Sequence, residues 1–215
     1  MTALETILEC RGSGVTTECS IPVLETERLV LRAPRFEDAR AIAGVANDRR
    51  IAEMTANLPH PYAEKDAENW ITNAWQGEDH PFLITSKTDG ALIGATGFVM
   101  PEIGDPEIGY WVGIAHWGKG YATEAARAVV DHLFMNHAAK SIAARARVVN
   151  PASRRVIEKC GFQWVGAGLT RSRLLASSVP VDKFQLDRSV WSSLKAWRDP
   201  ILRRSAPKIV IGELG

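Results

Sequence analysis

Trp117-Gly118-Lys119-Gly120-Tyr121-Ala122-Thr123 follows a strand-like run, Gly109 to Val112, and opens an amphipathic helix. Two glycines one residue apart allow a loop to turn several backbone N–H groups toward one point. The helix behind the loop adds roughly half a positive charge at its N-terminus. Together these features suit an anionic group such as a pyrophosphate. The helix is read from its apolar stripe: Ala122, Ala125, Ala126, Val129, Val130, Leu133 and Phe134 recur at helical spacing. Glu124, Arg127, Asp131 and His132 lie off that stripe. On the glycines alone, a plain strand-to-helix turn remains an equal alternative.

Gly113 to Gly118-Lys119 also begins like a nucleoside-triphosphate P-loop. The residue after Lys119 is Gly120, so the hydroxyl that would hold Mg²⁺ is missing, and Tyr121 and Thr123 stand at the wrong offset.

Upstream of the loop, Leu29 to Ala33 reads as a strand stopped by Pro34. Phe36 to Ala46 carries a helical pattern, with a short helical turn through Met54, and Ala63 to Trp75 predicts a further helix. Phe82–Thr85 and Ala91–Met100 flank Thr88-Asp89-Gly90, a hairpin signal, and Glu107–Val112 is the next strand. Downstream, Ile142–Val149 returns as a strand. A strand–helix–strand connection of this length implies a parallel pair with a right-handed crossover. Asn150 is suited to cap a helix over Pro151–Cys160, with Pro151 at its first position and Gly161 just past its end. Phe162–Val165 and Val181–Leu186 read as the last strands, and Arg171-Ser172-Arg173 as a polar loop between them. The fold class is therefore mixed α/β: antiparallel strands first, a parallel βαβ unit later.

The chain has 215 residues and is 46% hydrophobic, which suits one domain with appendages. We divide it into a loosely ordered extension (residues 1–22), a domain (23–198) and a tail (199–215) whose Lys208-Ile209-Val210-Ile211 is a short apolar patch. Its 26 basic and 25 acidic residues leave a net charge of +1, with no overall pull toward nucleic acid or membrane. Cys10, Cys19 and Cys160 match neither a disulfide framework nor a zinc site, so no metal is expected and Cys160 should pack as a small apolar residue. No apolar run reaches the roughly 18 residues of a membrane span, and no signal-peptide core is present. A cytoplasmic protein is the expectation. A homodimer through exposed strands or the tail stays open.

Three pieces in order resemble the GNAT N-acetyltransferase superfamily. They are Gly109-Tyr110-Trp111-Val112 leading into Trp117–Ala125, then Asn150-Pro151-Ala152-Ser153, then Glu158-Lys159-Cys160-Gly161-Phe162. The opening Thr26-Glu27-Arg28-Leu29-Val30-Leu31-Arg32 is also similar. The set is closest in kind to the branch holding the ribosomal-protein N-terminal alanine and serine acetyltransferases, over about residues 23 to 190. The resemblance implies a GNAT-like fold with the parallel pair splayed apart, acetyl-CoA as donor and no metal. It implies a primary-amine acceptor, either a protein N-terminus or a small molecule. Trp117 stands where the family usually has Gln or Arg.

By the same resemblance, Trp117, Gly118, Lys119, Gly120, Tyr121, Ala122 and Thr123 hold the cofactor phosphates. Val112 pairs with the pantetheine arm, and Asn150 caps its helix, contacts the cofactor, or both. Acetyl transfer needs a base for the ammonium proton, donors for the thioester oxyanion and help for the departing thiolate. Glu107 is the candidate base. Strand alternation puts it on one face with Gly109 and Trp111, opposite Ile108 and Tyr110. A solvated strand-end carboxylate is the alternative, and Glu102, Asp105 and His116 are rivals. A backbone N–H near Val112 or Gly113 would serve the oxyanion. Ser153 would serve the thiolate, or simply bond backbone at a helix start; in other members of the superfamily a tyrosine takes that part. The acceptor pocket is expected from His60, Tyr62, Trp70, Trp75, Arg171 and Arg173. The function expected is acetyl-CoA-dependent amine N-acetylation. Acetylation of a small amine such as an amino sugar, or a non-catalytic acyl-CoA sensor, are the alternatives.

Overall fold

A computed structural model describes residues 21–76 and 79–198. The expected N-terminal extension lies almost wholly outside the described residues, and the Lys208–Ile211 patch entirely outside them.

The strands are β1 (Leu24–Glu25), β2 (Leu29–Arg32), β3 (Asp79–Ser86), β4 (Leu92–Val99), β5 (Glu107–Val112), β6 (Ser141–Arg147), β7 (Gln163–Ser172) and β8 (Ser177–Asp187). The helices are α1 (Ala39–Ala46), α2 (Arg49–Met54), α3 (Glu64–Gln76), α4 (Tyr121–Asn136), α5 (Pro151–Lys159) and α6 (Arg188–Arg198). The strands form one sheet in the order β1-β2-β3-β4-β5-β6-β8-β7. All pairs are antiparallel except β5 with β6.

Both faces of the sheet are covered. On one, the α4 stripe of Ala125, Ala126, Val129, Val130, Leu133 and Phe134 packs on Leu29, Leu31, Phe82, Ile108, Ile142 and Phe184. Full burial of each Val, Leu or Phe stabilises the fold by roughly 1.5–3 kcal/mol, so this stripe is what fastens the loop-bearing helix to the sheet. Helix α6 joins this layer through Trp191, whose ring lies tilted 5.0 Å from Phe134 and whose indole N–H donates to Asp131 at 2.6 Å. On the other face, α1 and α3 bring Ile42, Ala46, Ala67 and Ile71 against Leu83 and Ala95, with Trp111 packed beside them.

Two details differ from the sequence reading. Arg171 and Ser172 belong to β7, and only Arg173 lies in the turn, because β7 and β8 form a long hairpin paired as far as Ser172 and Ser177. Strand β1 and helix α6 were not anticipated. A two-residue strand has no readable period, and α6 follows β8 directly.

The feature that makes the site is the β5–β6 pair. Its register covers only Glu107↔Ala143 and Ile108↔Ala144. Beyond that point β5 stays with β4 as far as Gly94↔Val112, while β6 stays with β8 as far as Arg147↔Val181. The two strands therefore diverge from Gly109 onward. Gly94 permits this on the β4 side: a Cβ there would stand 2.2 Å from the Trp111 carbonyl oxygen. Any larger residue would push β5 off β4 at the divergence.

Candidate active site

The loop after β5 begins with a 3-10 turn, Ile114–His116, and ends at Gly120, the N-cap of α4. Gly118 and Gly120 hold φ of +75° and +83°, the left-handed region that other L-residues adopt only at a cost. Among the described residues no side chain caps the first turn of α4, so its leading N–H groups stand open beside the loop. Trp117, Lys119, Tyr121, Ala122 and Thr123 thus sit together with the two glycines around one helix N-terminus. Trp117 turns back along the loop, and its indole N–H donates to the Val112 carbonyl at 2.7 Å. The site fits a pyrophosphate by geometry: glycine-only backbone, free amides and a helix dipole at one point.

Strand β5 leads from this loop into the divergence. The Gly113 N–H donates to Ile93 O at 2.8 Å, and the Ala143 N–H to Pro106 O at 2.8 Å. Ladder alternation then turns the backbone of odd-numbered β5 residues toward β4 and of even-numbered ones toward β6. Tyr110 and Val112 consequently direct their N–H groups into the gap. Gly113, an expected oxyanion donor, is committed to β4 instead. The Val112 carbonyl is engaged by Trp117, which leaves the Val112 amide as its contribution to the gap.

Across the gap stands the start of α5. Asn150 accepts from the Ser153 N–H at 3.0 Å, the capping bond read from the sequence. The Ser153 hydroxyl lies 3.0 Å from the Tyr110 hydroxyl, which also donates to the Ser153 carbonyl at 3.1 Å. Burial pushes the Tyr110 phenol well above the ordinary tyrosine value, against the opposing pull of the Ser153 hydrogen bond. It is therefore a neutral hydroxyl at working pH. Two hydroxyls, one from each side of the divergence, form a dyad that sequence reading of Ser153 alone did not show.

Glu107 lies on the other face of β5, as alternation requires, at the end where β5 and β6 are still paired. The Arg145 guanidinium grips its carboxylate with both arms: Arg145 Nε donates to Oε1 at 2.7 Å, and Nη2 to Oε2. The pair borders a shallow cavity of about 260 Å³ with Asp105, Val165, Lys183 and Gln185. The rival Asp105 is occupied in the same place, accepting from Ser141 at 2.6 Å and Gln185 at 3.3 Å. Glu102 is exposed and His116 stands beside Tyr121, 6.1 Å between ring centres.

Beyond the divergent ends, two segments close on this face. Arg173 N–H in the β7–β8 turn donates to Ala56 O at 2.8 Å, and the Arg147 guanidinium donates to the Glu53 carbonyl. Tyr62 is buried here, and its phenol is pushed up to about 12 by burial and by Asp66, with Arg173 opposing. Of the residues expected to wall the acceptor pocket, Tyr62 is buried within electrostatic reach of Arg173, and His60 is partly buried. Trp70 packs against the same second core that holds Tyr62, and Trp75 is 68% exposed.

A family model described as "Acetyltransferase (GNAT) domain" matches residues 28–163. An uncharacterized N-acetyltransferase, p20, of Bacillus licheniformis is 32% identical over 148 residues, which are 66% of this chain and 83% of that protein. The ribosomal-protein-serine acetyltransferase of Escherichia coli is 33% identical over 83 residues, 38% of this chain and 45% of that protein. Among solved structures, spermidine N-acetyltransferase from Vibrio cholerae, in complex with CoA and spermine, superposes with a TM-score of 0.65. It is 22% identical, with 78% of this chain and 99% of that one covered.

Proposed function

The chain belongs to the GNAT acetyltransferase family and is an N-acetyltransferase; on that premise we propose that acetyl-CoA is its donor and a protein N-terminal α-amine its acceptor. The observation that carries the donor assignment is the continuity of the divergent β5 edge with the glycine loop. An extended amide-bearing arm can pair with the Tyr110 and Val112 backbone in the manner of an added strand. Its pyrophosphate then meets Gly118, Gly120 and the first turn of α4.

The residues divide the chemistry between the two faces of β5. Glu107 accepts the proton of the incoming ammonium, directly or through a water, with Arg145 holding the carboxylate in place. The neutral amine attacks the thioester carbon, and the Val112 or Tyr110 N–H stabilises the resulting oxyanion. The C–S bond then breaks as the nitrogen gives up its remaining extra proton to water, and the Tyr110–Ser153 hydroxyls stabilise the departing thiolate, which takes its proton from them or from water. Asn150 supports this role by fixing the first turn of α5.

The N-terminal acceptor is supported by the likeness to the ribosomal-protein-serine acetyltransferase. A small-amine acceptor is the second reading, favoured by the likeness to an enzyme that holds spermine. Release of free CoA should be measured with peptides of free N-terminus, the same peptides N-terminally blocked, and spermidine. Turnover only with free N-termini is the expected result. Turnover confined to spermidine or another small amine would transfer the acceptor assignment. Binding without turnover on any amine would return the sensor reading.

A further inference from the structure

The glycine loop contains a contradiction in charge. Glu124 is the fourth residue of the helix proposed to receive the pyrophosphate, where a carboxylate competes with the incoming anion for the helix dipole and repels it. We infer that Arg28, in the β1–β2 turn, is a positioning residue that disarms Glu124 and aims the loop amides at the pyrophosphate. The inference rests on the donor assignment above and gives a task to the Thr26-Glu27-Arg28 segment, which the chemistry otherwise leaves unused.

The geometry is specific. Glu124 Oε1 accepts from Thr26 Oγ1 at 2.6 Å and from the Arg28 backbone N–H at 2.8 Å. Glu124 Oε2 accepts from Arg28 Nε at 2.7 Å and forms an ion pair with Nη2 at 2.7 Å. The carboxylate is thus turned onto the β1–β2 turn and neutralised there. The other guanidinium arm, Nη1, donates to the Lys119 carbonyl at 3.0 Å. A trans peptide points its C=O and the next N–H in opposite directions. Drawing the Lys119 carbonyl toward Arg28 therefore turns the Gly120 N–H away from Arg28, to the opposite side of the loop.

The guanidinium also stacks 4.7 Å above the Tyr121 ring, and Nη2 would stand 3.4 Å from a Cβ at Gly120. The Arg28 side chain is 45% exposed against 17% for Glu124. The cation thus keeps an open face at the loop apex, while the anion is the more enclosed partner. Lysine cannot reproduce this, because only a planar fork reaches a carboxylate and a carbonyl at once.

The test uses the full chain with acetyl-CoA and with S-acetylpantetheine, a donor that lacks the pyrophosphate. Arg28→Met should raise KM for acetyl-CoA on the order of tenfold, the loss expected for charge-assisted hydrogen bonds. Its kcat at saturation should stay near wild type, and kcat/KM for S-acetylpantetheine should not change. Adding Glu124→Gln to Arg28→Met should recover part of the acetyl-CoA affinity by removing the unpaired carboxylate. If Arg28→Met does not fold, Arg28→Lys carries the test, with a smaller rise in KM. Unchanged KM in a folded variant, an equal loss with S-acetylpantetheine, or no recovery in the double variant would each overturn the inference. A wild-type protein that does not bind acetyl-CoA would instead bring down the donor assignment on which it rests.

Discussion

Replacing Ser153 with alanine separates its structural part from its chemical part, because the structure divides its bonds cleanly. The Asn150 cap is made to the Ser153 backbone N–H, which alanine retains. Tyr110 donates to the Ser153 backbone carbonyl, which alanine also retains. Only the hydroxyl–hydroxyl contact at 3.0 Å is lost. One neutral hydrogen bond contributes about 0.5–1.5 kcal/mol, and the better helix propensity of alanine offsets part of that. Melting temperature should therefore fall by no more than about 4 °C, at roughly 2–4 °C per kcal/mol for a domain of this size. The rate should change more. A hydrogen bond to a charged group contributes about 1.5–3 kcal/mol, so losing one to the developing thiolate slows the reaction roughly 10- to 150-fold. The assay is thiol release under conditions where chemistry limits the rate, repeated with an acetyl thioester of a more acidic thiol. The second donor should be affected less, since its thiolate leaves with less help. Normal turnover per folded molecule combined with a large fall in melting temperature would refute the reasoning and leave Ser153 a structural residue.

Gly120→Asp places a carboxylate at the loop apex and forces an L-residue to a φ of +83°; the protein should fold with a modest loss of stability. Its Kd for acetyl-CoA should rise about tenfold or more through like-charge repulsion, and an unchanged Kd would remove the loop from the cofactor site. Glu107→Gln keeps the shape but neither the basicity nor the second of the two hydrogen bonds accepted from Arg145, so the rate at neutral pH should drop about 10²–10⁴-fold with KM for acetyl-CoA unaltered. A wild-type rate, with chemistry limiting, would move the base elsewhere. Stability should fall as the pH is lowered through 6.5. Burial, with His137 and His80 adding like charge, holds the His132 imidazole below that ordinary value. The unfolded chain then binds the proton more readily than the folded one, and acid favours unfolding. Thermal melts of His132→Gln should show a shallower acid limb, and an identical slope would exclude His132 as its source.

Short-range periodicity accounts for how much was legible in advance. The apolar stripe of α4, the alternation of β5, the Thr88-Asp89-Gly90 hairpin and the Asn150-Pro151 helix start each depend on contacts within a few residues, and each stands where the sequence puts it. The site required more. Glu107, Val112, Ser153 and the glycine loop could be nominated one by one from their motifs. No local pattern pairs Tyr110 with Ser153, Glu107 with Arg145, or Arg28 with Glu124, which are separated by 43, 38 and 96 residues.

The sequence by itself determined the order of strands β2 to β8 and helices α1 to α5 and the glycine loop at a helix N-terminus, and its motifs carried the resemblance to the family. The elements and the loop follow from backbone geometry and side-chain period, which act over a turn or two of chain. The tertiary structure alone decided that β5 and β6 part after Ile108 and Ala144, that the Gly113 amide is committed to β4, and that Glu124 is neutralised from the β1–β2 turn. Those outcomes depend on sheet register. Register is settled only when distant strands compete for the same hydrogen-bonding edge and the apolar faces on both sides must be buried at once.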